Sequence, residues 1–268
     1  MTLLLALAIL DRLRPGEDPG ERRLAVARAT RAAHDVRDRY AAEGDPADVL
    51  DDAVVEEAAA GLAARPAPWL DAGPVRVREE PGDTTHVTVA DADGTVVALT
   101  SSVQSLYGAK VVCAPLGFVY NNYLRTCTRR PGPYGLGPRC RPRSNAAPTV
   151  VLDAAGPVLG LGSAGSRRST SSLLHVLSGV LEGGLGIAHA VAAPRAHLVA
   201  SGHLWVETAP GSPAPAGPRT VPMTAHHPAM GAVNAVGRTA SGWVGAADPR
   251  RDGVAVAEDT AARAGARS

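Results

Sequence analysis

Four prolines between residues 66 and 81 divide this chain into two parts that follow different periodicities. Each proline fixes φ and removes a backbone donor, so "ARPAPWLDAGPVRVREEPGD" can neither continue a helix nor sit in the middle of a sheet. It reads as an exposed, extended strap. The expected organisation is therefore a helical region over residues 1–83 and a strand-rich region over residues 84–268.

The helical part carries helical spacing. Leu24, Val26, Ala29, Ala33, Val36 and Tyr40 recur at that interval from Glu21 to about Glu43. "GDPADV" interrupts them, and "DDAVVEEAAAGLAA" forms a second helix after Asp51. The opening run "MTLLLALAIL" has no basic residue ahead of it and no cleavage-type motif after it, and it is too short to span a bilayer. It is expected to be a helix of the domain. No signal peptide is read in this stretch; localisation is unknown from the sequence, with the cytoplasm only as the default.

Beyond the strap the period becomes two. In "HVTVADADGTVVALT", His86, Thr88 and Ala90 share one face, Val87 and Val89 the other, and "DADG" supplies a turn. "PTVVLDAAGPVLGLG" is a second hairpin, apolar almost throughout, which suits a sheet covered on both faces. In "GSAGSRRSTSSLLHVLSGVLEGG" a Gly and Ser turn leads to a helix with Leu173, Leu174, Leu177, Val180 and Leu181 in one stripe, capped by Ser169 or Thr170 and ended by Gly183 and Gly184. "IAHAVAAPRAH" is a shorter helix. "HLWVET" and "AVNAVGRTASGWVGAADPR" add strands, the second as a hairpin, and the residues after Ala257 are expected to fray.

Composition excludes several roles. Among 268 residues, 45% hydrophobic, the 27 basic and 26 acidic residues leave a formal charge of +1. No single-sign field steers nucleic acid or an anionic membrane to the chain. Lys110 is the only lysine, a bias read as coding preference. Cys113, Cys127 and Cys140 lack metal-ligand spacing and are read as unpaired thiols, while adjacent His226 and His227 point apart on an extended loop. No metal and no cofactor is expected.

Asp83, Thr84 and Thr85 stand where the strap meets the first strand. A threonine hydroxyl is a weak nucleophile, but an N-terminal threonine is activated by its own α-amine, whose pKa of about 7.7 to 8.0 suits a general base near neutrality. Cleavage before Thr84 would create that amine.

Six landmarks in one order, "TTHVTVADADGTVVALTSSVQSLYG", "GFVYNN", "RPRSNAAPTVVL", "GSAGSRR", "AVAAPRAH" and "GAADPRRDG", resemble the small subunit of γ-glutamyltransferases. The upstream "ARATRAAHDVRDRYAAEGDP" is similar to the tail of that family's large subunit, whose precursor cuts itself before the nucleophilic threonine. The resemblance implies an α+β fold, the four-layer αββα sandwich of the N-terminal nucleophile hydrolases, entered here part-way through the large subunit. It implies Thr84 as nucleophile, Ser102 as its hydrogen-bonding partner, and the Gly165 and Ser166 N–H groups as oxyanion donors. Gln104, Ser144 and Asn145 match substrate-binding positions.

The chain departs from that pattern where an acidic pair would meet the substrate ammonium, for Arg125 and Thr126 follow "NNYL". The expected reaction is transfer of a glutathione-type γ-glutamyl group, or a related amide acyl group, to water or an amino acid. The competing expectation is an impaired fragment or non-catalytic subunit that needs a separately encoded first half, the large-subunit-like portion with its carboxylate-binding arginine.

Overall fold

The computed structural model describes residues 1–43, 48–64, 83–129, 134–139, 141–208 and 219–257. The proline strap, Cys140 and the tail after residue 257 lie outside the described residues.

Helix α1 (Thr2–Leu13) buries Leu3, Leu5, Ala6, Ile9 and Leu10, so the apolar opening run is a core helix. It packs on α2 (Pro19–Glu43), α3 (Asp52–Ala64) and α4 (Arg168–Leu181). Helix α2 begins earlier than its apolar spacing indicates. Asp18 Oδ1 accepts the Glu21 N–H at 2.8 Å and Pro19 supplies a preset φ, a start built from capping rather than burial. Helix α4 also begins earlier than expected, which corrects the Ser169 or Thr170 cap. Arg168 N–H donates to Gly165 O at 3.0 Å and Ser169 N–H to Ser166 O at 3.1 Å, so backbone turns close the first winding and both hydroxyl residues lie inside the helix.

The central sheet is antiparallel in the order β11 (Gly242–Ala246), β10 (Ala232–Thr239), β6 (Gly156–Ala164), β5 (Thr149–Asp153). Helices α4 and α5 (Ile187–Ala192) cover one face, and the hairpin of β1 (Thr84–Ala90) and β2 (Val96–Ser102) lies on the other. Two short strands, β3 (Val112–Cys113) and β4 (Phe118–Val119), pair beside the hairpin's end. A separate sheet joins β7 (Ala196–Leu198), β8 (Leu204–Glu207) and β9 (Thr220–Met223), with α2 packed on β7. Cys113 and Cys127 are free thiols. His226 is exposed on a loop, and His227 closes a 3-10 turn by accepting the Ala229 N–H on Nδ1 at 3.1 Å.

The prediction that the second hairpin is covered on both faces holds for β6 and fails for β5. Strand β5 is at the sheet edge, and Val150 and Leu152 face solvent. The first hairpin buries its polar face. Val87, Val89, Val97 and Leu99, paired across the ladder as 87 with 99 and 89 with 97, are each more than half exposed, whereas His86 is buried against the central sheet.

Hydrogen bonding explains this inversion. His86 Nδ1 lies 2.8 Å from Thr100 Oγ1 and Nε2 lies 2.7 Å from Thr88 Oγ1, while Thr88 donates to Asn234 O at 3.3 Å and Asn234 Nδ2 to His86 O at 3.0 Å. Because the Thr88 proton goes to Asn234, His86 Nε2 donates to Thr88, and because burial disfavours the charged ring, Nδ1 accepts from Thr100. A polar group buried with its partners is tolerated where an unpaired one is not.

Glycine lets the two sheets approach. A methyl at Gly162 would overlap the His86 ring, 2.6 Å from Nε2, and one at Gly160 would fall 2.6 Å from Val96 Cγ1 and 2.7 Å from Thr88 Cγ2. Gly162→Ala is expected to destabilise the protein by about 1–3 kcal/mol in urea unfolding. Gly61→Ala, in open space on α3, should stabilise it by about 0.5–1 kcal/mol. Equal stability of the two variants would contradict the sheet stacking.

Candidate active site

Thr84 opens β1 and Ser102 closes β2, and the ladder pairs them directly. Their hydroxyl oxygens are 2.9 Å apart. Ser102 Oγ also accepts the Gln104 N–H at 3.1 Å, which orients it for donation to Thr84. The carbonyl of Asp83 accepts the Val103 N–H at 3.0 Å, and its carboxylate accepts the Tyr107 N–H at 2.6 Å. The bond before Thr84 is therefore held by hydrogen bonds on its N-terminal side and by the strand on its C-terminal side.

A cavity of about 70 Å³ is lined by Thr84, Ser102, Gln104, Ser144, Asn145 and Ser166, so six of the seven site residues read from the sequence meet there, with Tyr123, Thr126, Arg143, Ser163 and Ser169. Gly165, the seventh, adjoins Ser166 at the end of β6. Gly165 has φ 158° and Ser166 has φ 56°, so Ser166 occupies the left-handed region in which a side chain costs energy. Space explains the glycine beside it: a methyl at 165 would lie 2.9 Å from Gly231 Cα.

Gln104 turns its carbonyl to the Ser105 hydroxyl at 2.6 Å. Ser105 in turn receives the Asn122 Nδ2 at 2.7 Å and Arg125 Nη1 at 3.2 Å. Arg125 thus binds the loop bearing Gln104, and Thr126 donates to Tyr123 O at 2.7 Å.

The sequence reading missed a charge cluster behind the cavity. Asp38 takes three guanidiniums: Arg37 at 2.9 Å, Arg167 at 2.9 Å and Arg143 at 3.3 Å. Burial raises the Asp38 carboxyl, and the arginines, Arg37 foremost, bring it below the ordinary carboxylate value. Arg37 also donates to Asn145 Oδ1 at 2.8 Å, which leaves the Asn145 amide N–H₂ as its remaining polar group. The arginines stand in the quoted landmarks "RPRSN" and "GSRR", but coding preference hid them, and no local spacing brings α2 to residue 143. Among the described residues, no cluster of His, Cys, Asp or Glu is arranged to hold a metal.

Buried histidines frame the site. Burial lowers His86 to about 4 and His34, whose Nε2 contacts Arg167 O at 3.2 Å, to about 3. His175 falls to about 3 for the same reason. A histidine depressed from 6.5 favours folding fully above that pH, and the benefit is lost as pH falls towards the folded values. Stability is expected to drop between pH 6.5 and 5, by at most about 1.4 kcal/mol per pH unit for each group. Urea titrations should show a shallower slope for His86→Gln; a flat profile for the parent would contradict the neutral rings.

A gamma-glutamyltranspeptidase family model matches residues 1–258. The acylase ACY 1 proenzyme of a Pseudomonas species is 34% identical over 242 residues, 86% of this chain and 43% of that protein. The glutathione hydrolase proenzyme of Escherichia coli is 33% identical over 138 residues, 47% of this chain and 23% of that protein. This chain therefore spans less than half the length of the curated relatives it matches.

Among solved structures, a gamma-glutamyltranspeptidase mutant from Helicobacter pylori has TM-score 0.53 at 31% identity, covering 62% of this chain and 100% of that one. The cephalosporin acylase of Bacillus halodurans has TM-score 0.75 at 20% identity over 96% of this chain and 49% of that one, a likeness of fold. The architecture is the α+β fold of the N-terminal nucleophile hydrolases.

Proposed function

The chain belongs to the gamma-glutamyltranspeptidase family, and from that premise we propose that it is an amide acyl hydrolase or transferase whose nucleophile is Thr84, freed by cleavage of the Asp83–Thr84 bond. The observation that carries this reading is the Thr84 hydroxyl, 2.9 Å from Ser102 in a polar cavity that ends at the Gly165–Ser166 turn.

In the maturation step Thr84 Oγ attacks the Asp83 carbonyl, which the Val103 N–H already polarises. The peptide C–N bond breaks, an ester forms, and water hydrolyses it to the Asp83 carboxylate and a free Thr84 amine. That amine then takes the Oγ proton as Oγ attacks a substrate amide. The N–H groups of Gly165 and Ser166 stabilise the oxyanion, the leaving amine receives the proton, and the acyl-Thr84 ester passes to water or to an acceptor amine. The acyl group is of the γ-glutamyl type, carried by a glutathione-type amide donor, and the reaction needs no cofactor.

We further propose that a large-subunit-like region beyond these residues completes the enzyme. The apolar outer face of the β1–β2 hairpin and the greater length of the relatives support that region. Such a contiguous exposed patch is characteristic of an interface.

Intact-mass spectrometry tests both statements on the chain alone and co-expressed with the polypeptide encoded immediately upstream. Two fragments meeting at Asp83 and Thr84 are expected, in one or both preparations, with Thr84→Ala uncut and Thr84→Ser cut more slowly. Continued cutting of Thr84→Ala would overturn the nucleophile assignment, and cutting that is equally complete without the partner would remove the need for it.

A further inference from the structure

Ser166 is held in the left-handed region at φ 56°, where a side chain costs energy, so its neighbours must fix the turn that carries it. The carbonyls of Gly165 and Ser166 are taken by the first winding of α4, whereas their N–H groups make no hydrogen bond among the described residues. Two free donors can stabilise an anionic oxygen, provided that the turn does not shift. Gly231 packs against one side of it, at Gly165. On the other side the next residue, Arg167, is gripped twice by α2.

His34 and Asp38 stand four residues apart and so share a face of α2. Asp38 Oδ2 accepts from the Arg167 guanidinium at 2.9 Å, and His34 Nε2 lies 3.2 Å from the Arg167 carbonyl oxygen. A carbonyl oxygen only accepts, so Nε2 carries the ring proton and donates it. Nδ1 is then a buried lone pair with no partner among the described residues. Burial first, and then Arg37, Arg167 and Arg31, lower the ring to about 3, so it donates as a neutral group at neutral pH.

We infer that His34 is a positioning residue for this turn: its Nε2–H, with the Asp38 carboxylate beside it, fixes Arg167 and so aims the Gly165 and Ser166 N–H groups at the Thr84 cavity. The inference rests on the reading of Thr84 as nucleophile and of those N–H groups as its oxyanion donors. His34 does not line the cavity and acts only through Arg167. It precedes the Asp83–Thr84 bond and Arg167 follows it, so in the cut protein the contact runs between two fragments. Loss of His34 separates two reactions of one nucleophile. In self-cleavage the attacked Asp83 carbonyl is already bound by the Val103 N–H, away from the turn, and that step is spared. Transfer from an added amide needs the turn and is slowed, since a misplacement of about 1 Å costs up to about 100-fold in rate.

His34→Leu removes the donor, and in His34→Gln a side-chain amide N–H can reach the same carbonyl. Both are compared with the parent, in the preparation in which the parent cuts itself and with circular dichroism reporting that each is folded. Intact mass against time gives the rate of self-cleavage, release of 4-nitroaniline from γ-glutamyl-4-nitroanilide gives kcat and KM, and hydrogen exchange gives the protection of amides 165–169. His34→Leu is expected to cut itself within twofold of the parent rate, to lose at least tenfold in kcat with KM within threefold, and to exchange those amides at least tenfold faster. His34→Gln should recover most of both losses. An unchanged kcat in His34→Leu would overturn the inference, and so would an equal loss of cutting and turnover without rescue by His34→Gln, the mark of a merely structural histidine. A parent that fails to cut itself or to release nitroaniline contradicts the Thr84 reading instead. Exchange then reads the clamp alone: faster exchange in His34→Leu leaves it standing, and equal protection overturns it.

Discussion

The distance between the two stacked sheets is set by Gly160 and Gly162 on β6. The His86 ring, Thr88 and Val96 press on the space where side chains would otherwise stand. The rest of the candidate site depends on that approach, because each of its proposed catalytic elements is the end of a stacked strand. Thr84 begins β1, Ser102 ends β2, and the Gly165–Ser166 turn leaves the end of β6. Closing the sheets brings the proposed nucleophile and the proposed oxyanion donors to one cavity, and the inward polar face of the hairpin is tolerated because His86, Thr88, Thr100 and Asn234 satisfy one another.

A second set of contacts holds the Gly165–Ser166 turn from behind. Gly231, against which Gly165 packs, has its carbonyl bound by Arg195 Nη1 at 2.8 Å, and Ser172 Oγ donates to the adjacent Met230 O at 2.7 Å. Arg195 in turn pairs with Asp248 at 2.6 Å, Asp248 with Arg250 at 3.1 Å, and Arg250 with Glu207. All four charges are buried, and burial lowers Arg195 to about 10, still charged at neutral pH. A buried pair of this kind contributes little net energy while intact, but removal of one member strands the other. The network therefore acts mainly as a rigid mount for the strand start at Ala232 and the glycine contact beneath the active site.

Much of this was legible from local pattern. The helical spacing before residue 65, both hairpins and the glycine turn are properties of adjacent residues, and the structure has helices and strands where those patterns place them. Six of the seven site residues line one cavity because they lie in motifs anchored to those elements. What the sequence could not disclose depends on long-range placement. Alternation gave the two faces of β1 but not which one is buried, since that is decided by Gly162 and Asn234 far along the chain. The apolar β5 run implied cover on both sides, whereas its edge position exposes it. The Asp38 cluster joins α2 to residues 143 and 167, and an arginine-rich composition carries no hint of that convergence.

These structural relations lead to one chemical claim: Thr84 carries the acyl group. The most direct measurement is covalent capture. In a γ-glutamyl analogue with a chloromethyl ketone in place of the scissile amide, Thr84 Oγ would displace chloride to form an ether while its proton passes to the Thr84 α-amine. Peptide mass spectrometry of the labelled protein should place one adduct on the fragment that begins with Thr84, and excess L-glutamine should protect it. An adduct on another residue, or a cleaved protein that takes no label at Thr84, would contradict the account.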